Sequence, residues 1–340
     1  MTTTITPRSV SDAVVVDAPE VRSQRLKTLA GTGFNVVLAV VIFIVGAIVV
    51  PGFAQAGSVR SMAVLASFLG IAALGQTMAV LVGGIDLSVP AIIGAGNVMA
   101  AKLTGDGVPS VLMVVLVLLM GVLVGCFNGY VSHRWRIPPL IITLATASIV
   151  GGLVLLWTGA KITGSAPQWL TQLTSPASTT GPLPIAPVVL IWLALALVLA
   201  FIVRRTKLGR QIYAFGVNRK AATLMLVSQT RVSVIAFGAS GLFASIAGLL
   251  LAGFTGSGVF NVGDQYLFLA IAAVVVGGTS LLGGRGGPLR TVIGSIVLIE
   301  LTTMLAGFHL SAAAQQAVLG AVIVLVVAFY GRERRISERI

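Results

Sequence analysis

Apolar residues gather into ten long runs along this chain, near residues 34–52, 61–82, 89–103, 110–131, 137–158, 185–203, 232–255, 266–282, 288–308 and 312–330. About 20 apolar residues in a helix suffice to cross roughly 30 Å of hydrocarbon. The pattern therefore predicts an all-α, polytopic membrane protein with about ten transmembrane helices. The third run is short for a full crossing, which suits a broken or re-entrant helix lined by protein, because backbone groups freed inside a bilayer need internal partners. Polar positions divide the rest. Residues 1–33 form a tail without helical period, expected to be mobile and cytoplasmic, residues 34–330 the transmembrane domain, and residues 331–340 a basic cytoplasmic C-terminus. A cleaved signal peptide is the competing reading of the first run, since Arg22, Arg25 and Lys27 precede it and Ala54-Gln55-Ala56 follows it. The length of both tail and run favours a retained span.

Composition agrees with the bilayer. With 57% apolar and 9% charged residues, 40 glycines and a mean hydropathy of +1.05, the chain does not read as a soluble core. A formal charge of +13 would point to nucleic acid in a soluble protein, but its placement decides otherwise. If residue 1 is cytoplasmic and every run crosses, 19 of the 22 Lys and Arg residues fall on the cytoplasmic side, leaving Arg60, Lys102 and Lys161 elsewhere. This positive-inside distribution puts both termini in the cytoplasm. The charge is then assigned to topology and to anionic membrane lipid, with no nucleic acid partner.

Between Gly31 and Tyr330 the acids are Asp86, Asp106, Asp264 and Glu300. A lipid-facing charge at bilayer depth costs about 2.5 to 3.5 kcal/mol on the most lenient scale. Asp86, set in Gly83-Gly84-Ile85-Asp86-Leu87-Ser88-Val89-Pro90, must therefore face protein, water or a polar end. It is placed to cap the next helix, whose positive end and free amides favour a carboxylate, and Ser88 offers the same chemistry. Gating or direct contact with a solute are the other readings. Gln76 and Asn97 flank this motif on adjacent runs and face either a neighbouring helix or a polar path. Glu300 stands mid-run without a basic residue within one turn, either protonated and bonded to another helix or lining that path. Gly83, Gly84, Asp86, Ser88, Gln76, Asn97 and Glu300 are thus the gate or path candidates.

The stretch Arg204–Arg231 holds seven basic residues and no acid in 28 positions. Within it Asn218-Arg219-Lys220-Ala221-Ala222-Thr223-Leu224 begins with an N-cap residue and continues with helix formers. A short helix here would lie on the membrane or dock on a soluble partner; a basic loop that merely enforces topology is the plainer alternative. Gly277-Gly278 and Gly283-Gly284-Arg285-Gly286-Gly287-Pro288 repeat the Gly-Gly and Pro punctuation of the first motif. No Gly-Lys-Ser/Thr tripeptide occurs, so these glycines predict tight turns and close helix approach rather than a phosphate cradle. No cofactor and no metal are expected on this chain. His133 and His309 fall on opposite predicted faces, which argues against a clustered catalytic site. The lone Cys126 is a packing residue. Trp135, Trp157 and Trp192 sit near predicted span ends, where an amphipathic ring suits the headgroup layer. Residues 159–184 make the longest predicted external loop.

Val82-Gly83-Gly84-Ile85-Asp86-Leu87-Ser88-Val89 closely resembles the signature of ribose-type permeases of bacterial ATP-binding-cassette importers. The likeness continues through Phe127-Asn128-Gly129, Ile137-Pro138-Pro139, Thr143-Leu144-Ala145-Thr146 and Leu208-Gly209-Arg210. It runs on through Gly216-x-Asn218-x-x-Ala221-Ala222, Ile271 to Leu281 and Gly283-Gly284-Arg285-Gly286, in consistent order over residues 35–330. The resemblance implies an inner-membrane permease subunit without its own ATPase activity, paired with a second copy or a paralogue. A cytoplasmic ATPase that uses the ATP and a periplasmic solute-binding protein would complete it. It also implies that Asn218, Arg219, Lys220, Ala221, Ala222 and Thr223 couple the permease to that ATPase. Two departures stand out. Met225-Leu226 replaces a common Ser-Gly turn, and Leu267 and Leu269 stand where many sugar permeases carry acids, so ribose specificity is not implied. A gradient-driven secondary transporter using Asp86 and Glu300 is the alternative.

Overall fold

The computed structural model describes residues 18–311, 313–321 and 324, with side chains from residue 33 onward. Its described residues are helices and connecting turns, with isolated bridges in place of strands. Twelve helices are named here: α1 (Ala18–Val49), α2 (Ala56–Leu81), α3 (Val89–Gly105), α4 (Ser110–Arg134), α5 (Pro139–Thr158), α6 (Gln168–Thr174), α7 (Pro187–Arg205), α8 (Lys207–Val217), α9 (Arg219–Leu224), α10 (Gln229–Thr255), α11 (Tyr266–Val276) and α12 (Pro288–Gly307). A 3-10 turn at Phe260–Gly263 precedes α11. Among the described residues six helices, α2, α4, α5, α7, α10 and α12, are long and apolar enough to span a membrane. Shorter apolar helical stretches cover Gly33–Val49 and Phe260–Val276.

Nine of the ten apolar runs thus coincide with helices. Residues 313–321 are helical as well, while the rest of the tenth run, the basic residues 331–340 and residues 1–17 lie outside the described residues. Helix α1 begins at Ala18, well inside the stretch read as a tail.

Start and stop signals follow local chemistry. Proline occupies the first turn of α3, α5, α7 and α12, where its missing N–H costs nothing. Left-handed Gly159 and Gly256 close α5 and α10.

Helix α2 is the axis of the fold. Its 18-residue apolar window is 94% buried, and α7, α10, α11 and α12 pack around it. Helix α10 lies against α4 along Gly121, Gly125 and Gly129, where an added Cβ would stand 2.1 to 2.5 Å from the carbonyl oxygens of Gly241, Phe237 and Ser233. Small residues four apart let two backbones meet, which is how membrane helices gain van der Waals contact without a hydrophobic drive between them. One tryptophan departs from expectation. Trp135 and Trp157 are exposed, but Trp192 is buried against Gly70 of α2, because α7 crosses that helix at its one residue without a side chain there.

Candidate functional site: a junction of two glycine loops and a basic segment

After Leu81 the chain folds back onto α2 instead of leaving it. Gly83 takes a left-handed φ of +74°, its amide donates to Val80 at 2.9 Å, and the Gly84 amide donates to Ala79 at 2.9 Å. That reversal carries Asp86 inward. The Gln76 side-chain amide, with its nitrogen facing the Asp86 carbonyl, donates to it at 3.1 Å and accepts from the Asp86 N–H at 3.2 Å. Gln76 therefore completes the backbone bonding that the broken helix leaves open.

The Asp86 carboxyl is 1% exposed and sits in a polar knot. Its Oδ1 accepts from the Ser88 N–H at 2.9 Å and from the Ser88 hydroxyl at 2.5 Å. Asn128 of α4 donates to Ser88 Oγ at 2.9 Å, and the Leu87 N–H donates to Thr143 of α5 at 3.0 Å. Ser240 of α10 lies beside the carboxyl without closing a hydrogen bond to it, and Asp86 Oδ2 and Asn128 Oδ1 are buried without partners. The expectation of a helix cap changes in one respect. Ser88 occupies the N-cap position of α3, yet its side chain makes no cap bond, because its hydroxyl is spent between Asp86 and Asn128. Asp86 instead holds the amide just ahead of the helix, in a knot that α2 enters through Gln76, α4 through the Asn128 bond to Ser88 and α5 through the Thr143 bond to Leu87.

The basic segment folds as two short helices, α8 and α9. Thr206 caps α8 by accepting from Gly209 N–H at 3.2 Å, and Asn218 caps α9 by accepting from Ala221 N–H at 3.1 Å. Ala222 faces inward and is 1% exposed, while Lys220 and Thr223 face outward. Thr223 donates to the Arg219 carbonyl at 2.9 Å, and Gln229 donates to the same oxygen at 3.1 Å.

This segment meets both glycine loops. Arg219 lies 5.0 Å over the Phe215 ring and donates to the Val82 carbonyl at 3.3 Å, directly ahead of Gly83. The Gly284 amide donates to Leu81 at 2.9 Å, and a Cβ on Gly283 would stand 2.9 Å from Gly83 N. Tyr213 of α8 donates to the Gly286 carbonyl at 2.8 Å, with burial pushing its phenol upward. The two Gly-Gly motifs, far apart in sequence, thus share one seat with α8 and α9.

Asn97 and Glu300 stand elsewhere. Asn97 accepts from the Val259 N–H at 2.6 Å, fastening α3 to the 3-10 region, and lies about 14 Å along α3 from Ser88 by helical rise. Glu300 is 8% exposed on α12, with Oε2 buried and unpartnered. Among the described residues no group of three metal-ligating side chains occurs. Asn128, Thr143 and Ser240 are site residues that sequence reasoning did not single out; the first two lay within quoted motifs, and nothing local marks Ser240.

Residues 58–327 match the family described as branched-chain amino acid transport system, permease component. The chain belongs to this permease family. It is 34% identical over 294 residues to the ribose import permease protein RbsC of Bacillus subtilis (strain 168), covering 84% of this chain and 88% of that one. It is 33% identical over 298 residues to the autoinducer 2 import system permease protein LsrC of Shigella flexneri, covering 86% and 85%. No solved structure matches. The protein is accordingly a multi-pass membrane permease, a transport subunit rather than an enzyme.

Proposed function

We propose that this chain is the permease subunit of an ATP-binding-cassette importer that carries a sugar or sugar-like solute across the bacterial inner membrane. It works with a second permease copy or a paralogue, with a cytoplasmic ATPase and with a periplasmic solute-binding protein. Both termini are cytoplasmic and ten helices cross. The supporting observation is the Arg219 to Val82 bond, which ties an external helix to the end of the most buried one. A push on α9 from a closing ATPase would pass through Gly216 and Arg219 to the end of α2. From there it reaches the Asp86 knot that binds α3, α4 and α5 together. Alternating access by rigid displacement of helices needs such a connection.

The solute class rests on the ribose and autoinducer 2 relatives. The decisive experiment is reconstitution of the permease with candidate ATP-binding-cassette ATPases and solute-binding proteins from the same organism, followed by uptake of labelled pentoses, hexoses and sugar-like signal molecules. ATP-dependent uptake requiring the binding protein is the expected outcome. Uptake driven by a proton or sodium gradient without the ATPase would favour the secondary transporter.

A further inference from the structure

Between α10 and α11 the chain re-enters the bundle without forming an α-helix. A Cβ on Gly263 would stand 2.0 Å from the Pro90 carbonyl oxygen and one on Gly94 would stand 2.4 Å from that of Phe260, while Asn97 accepts from the Val259 N–H at 2.6 Å. Residues 259–263 therefore lie along α3, backbone against backbone. Two helices fix their depth. Lys102, paired with Asp106 at 3.1 Å and 5.4 Å over the Trp157 ring, marks one end of α3, and Pro90 lies about 18 Å inward from it by helical rise. From the opposite side, α11 rises about 16 Å from Gly277, which abuts the Arg290 carbonyl, to Tyr266. Both put Gly263 and the residues after it near the middle of a hydrocarbon core about 30 Å thick.

Asn261, Asp264 and Gln265 stand exposed at this depth, and within the described residues their side chains make no hydrogen bond or ion pair. Acyl chains are a costly neighbour for a carboxylate, and non-helical backbone persists at bilayer depth only inside protein or along water. The side of the segment that meets α3 is inside protein; the side with the three polar groups is not. A second copy of the chain does not supply the missing partner. Among the described side chains, the basic residues of the spanning helices, such as Arg60, Arg134, Arg204, Arg231 and Arg290, sit in the first or last two turns. A dry contact between copies at mid-depth would therefore leave Asp264 without a cation. We propose that Asn261, Asp264 and Gln265 line the translocation path at mid-bilayer depth and hold the hydroxyl groups of a neutral, polyhydroxylated solute as it passes. The solute class rests on the importer reading above. A carboxylate accepts from adjacent hydroxyls and the two amides both donate and accept, so hydrogen bonds that the solute gives up to water are replaced in kind. The same negative charge disfavours an anionic, phosphorylated solute.

The test labels single cysteines in the full-length permease in nanodiscs, which expose both faces, in a Cys126→Ala background. Asp264→Cys and Gln265→Cys should each react with an impermeant cationic methanethiosulfonate, because a thiol reacts as its thiolate and needs water to ionise. At Gln265→Cys the cationic reagent should outpace an anionic one, relative to a free thiol in solution, by about tenfold at low salt, the effect of a unit charge about 6 Å away in water. Adding Asp264→Asn should return that ratio to the free-thiol value. Silence of both cysteines places the segment in lipid or a dry contact and overturns the proposal, as does a ratio indifferent to Asp264. A disulfide between copies in place of labelling assigns the surface to the second permease and overturns it too. In the reconstituted importer, Asp264→Leu should cut the maximal uptake of the sugar carried by the wild type about tenfold or more, the order expected for losing a charged hydrogen bond. Half-saturation by the loaded binding protein and thermal stability should stay at wild-type values, and Asp264→Asn should keep part of the uptake. Wild-type uptake by Asp264→Leu overturns the solute contact while leaving the importer reading in place. Labelling as expected, in a protein whose uptake runs on an ion gradient, upholds the lined path and removes the importer reading instead.

Discussion

Gly216 and Leu81 touch backbone to backbone, so that a Cβ built on Gly216 stands 2.0 Å from the Leu81 carbonyl oxygen and 2.5 Å from Gly284 N. Neither neighbour is a flexible side-chain end. Gly216→Ala must therefore displace α8 from its seat, at a cost of about 1 to 3 kcal/mol for overpacking. The variant should insert normally, melt at a lower temperature in detergent and lose most ATP-dependent uptake. Wild-type melting and uptake together would show that the seat has slack.

Arg219 and Lys220 are neighbours with separable roles. Arg219 bonds the Val82 carbonyl within the permease, whereas Lys220 faces outward. Lys220→Glu should weaken ATPase association while leaving the melting temperature unchanged, because a reversed charge opposes an acidic partner surface. Arg219→Glu should lower the melting temperature as well. Equal effects of the two changes on both measurements would contradict this division.

Asp86→Asn and Asp86→Leu distinguish shape from charge. Asparagine retains an oxygen for the Ser88 amide, so partial transport is expected in vesicles at matched expression. Leucine removes the acceptor at a local cost of about 0.5 to 2 kcal/mol and should abolish coupling. If asparagine is as inactive as leucine while basal ATPase activity persists, the negative charge itself is required.

Topology can be read with thiols in a Cys126→Ala background. Ala177→Cys, in the exposed segment after α6, should react with an impermeant reagent added outside intact cells, and Lys220→Cys only after permeabilisation. The reverse pattern would invert the assignment of both faces.

Much of this architecture was legible because it is local. Apolar run lengths located nine helices, and Asn218 announced its cap through the helix formers that follow it. The Gly83 to Pro90 motif marked a broken helix, since a carboxylate between glycines and proline has few other places in a bilayer. What was hidden depends on contacts distant in sequence. Ser240 is one hydroxyl among many along α10, and only packing against α2 and α3 brings it beside Asp86. Trp192 resembled an interfacial ring because its neighbours are apolar, whereas the gap that receives it belongs to Gly70. The cap reading of Ser88 failed for a similar reason: its hydroxyl was claimed by Asn128, forty positions away.

The seat between Gly216, Gly283 and Leu81 is built from main chain rather than side chains. Side chains absorb small displacements by changing rotamer, as a soft bushing absorbs play. Bare backbones have no such freedom and behave as meshed gear teeth. Over this contact the spacing of the segments is set by covalent geometry, so a substitution that adds even one methyl must move a whole stretch of chain rather than turn one side chain.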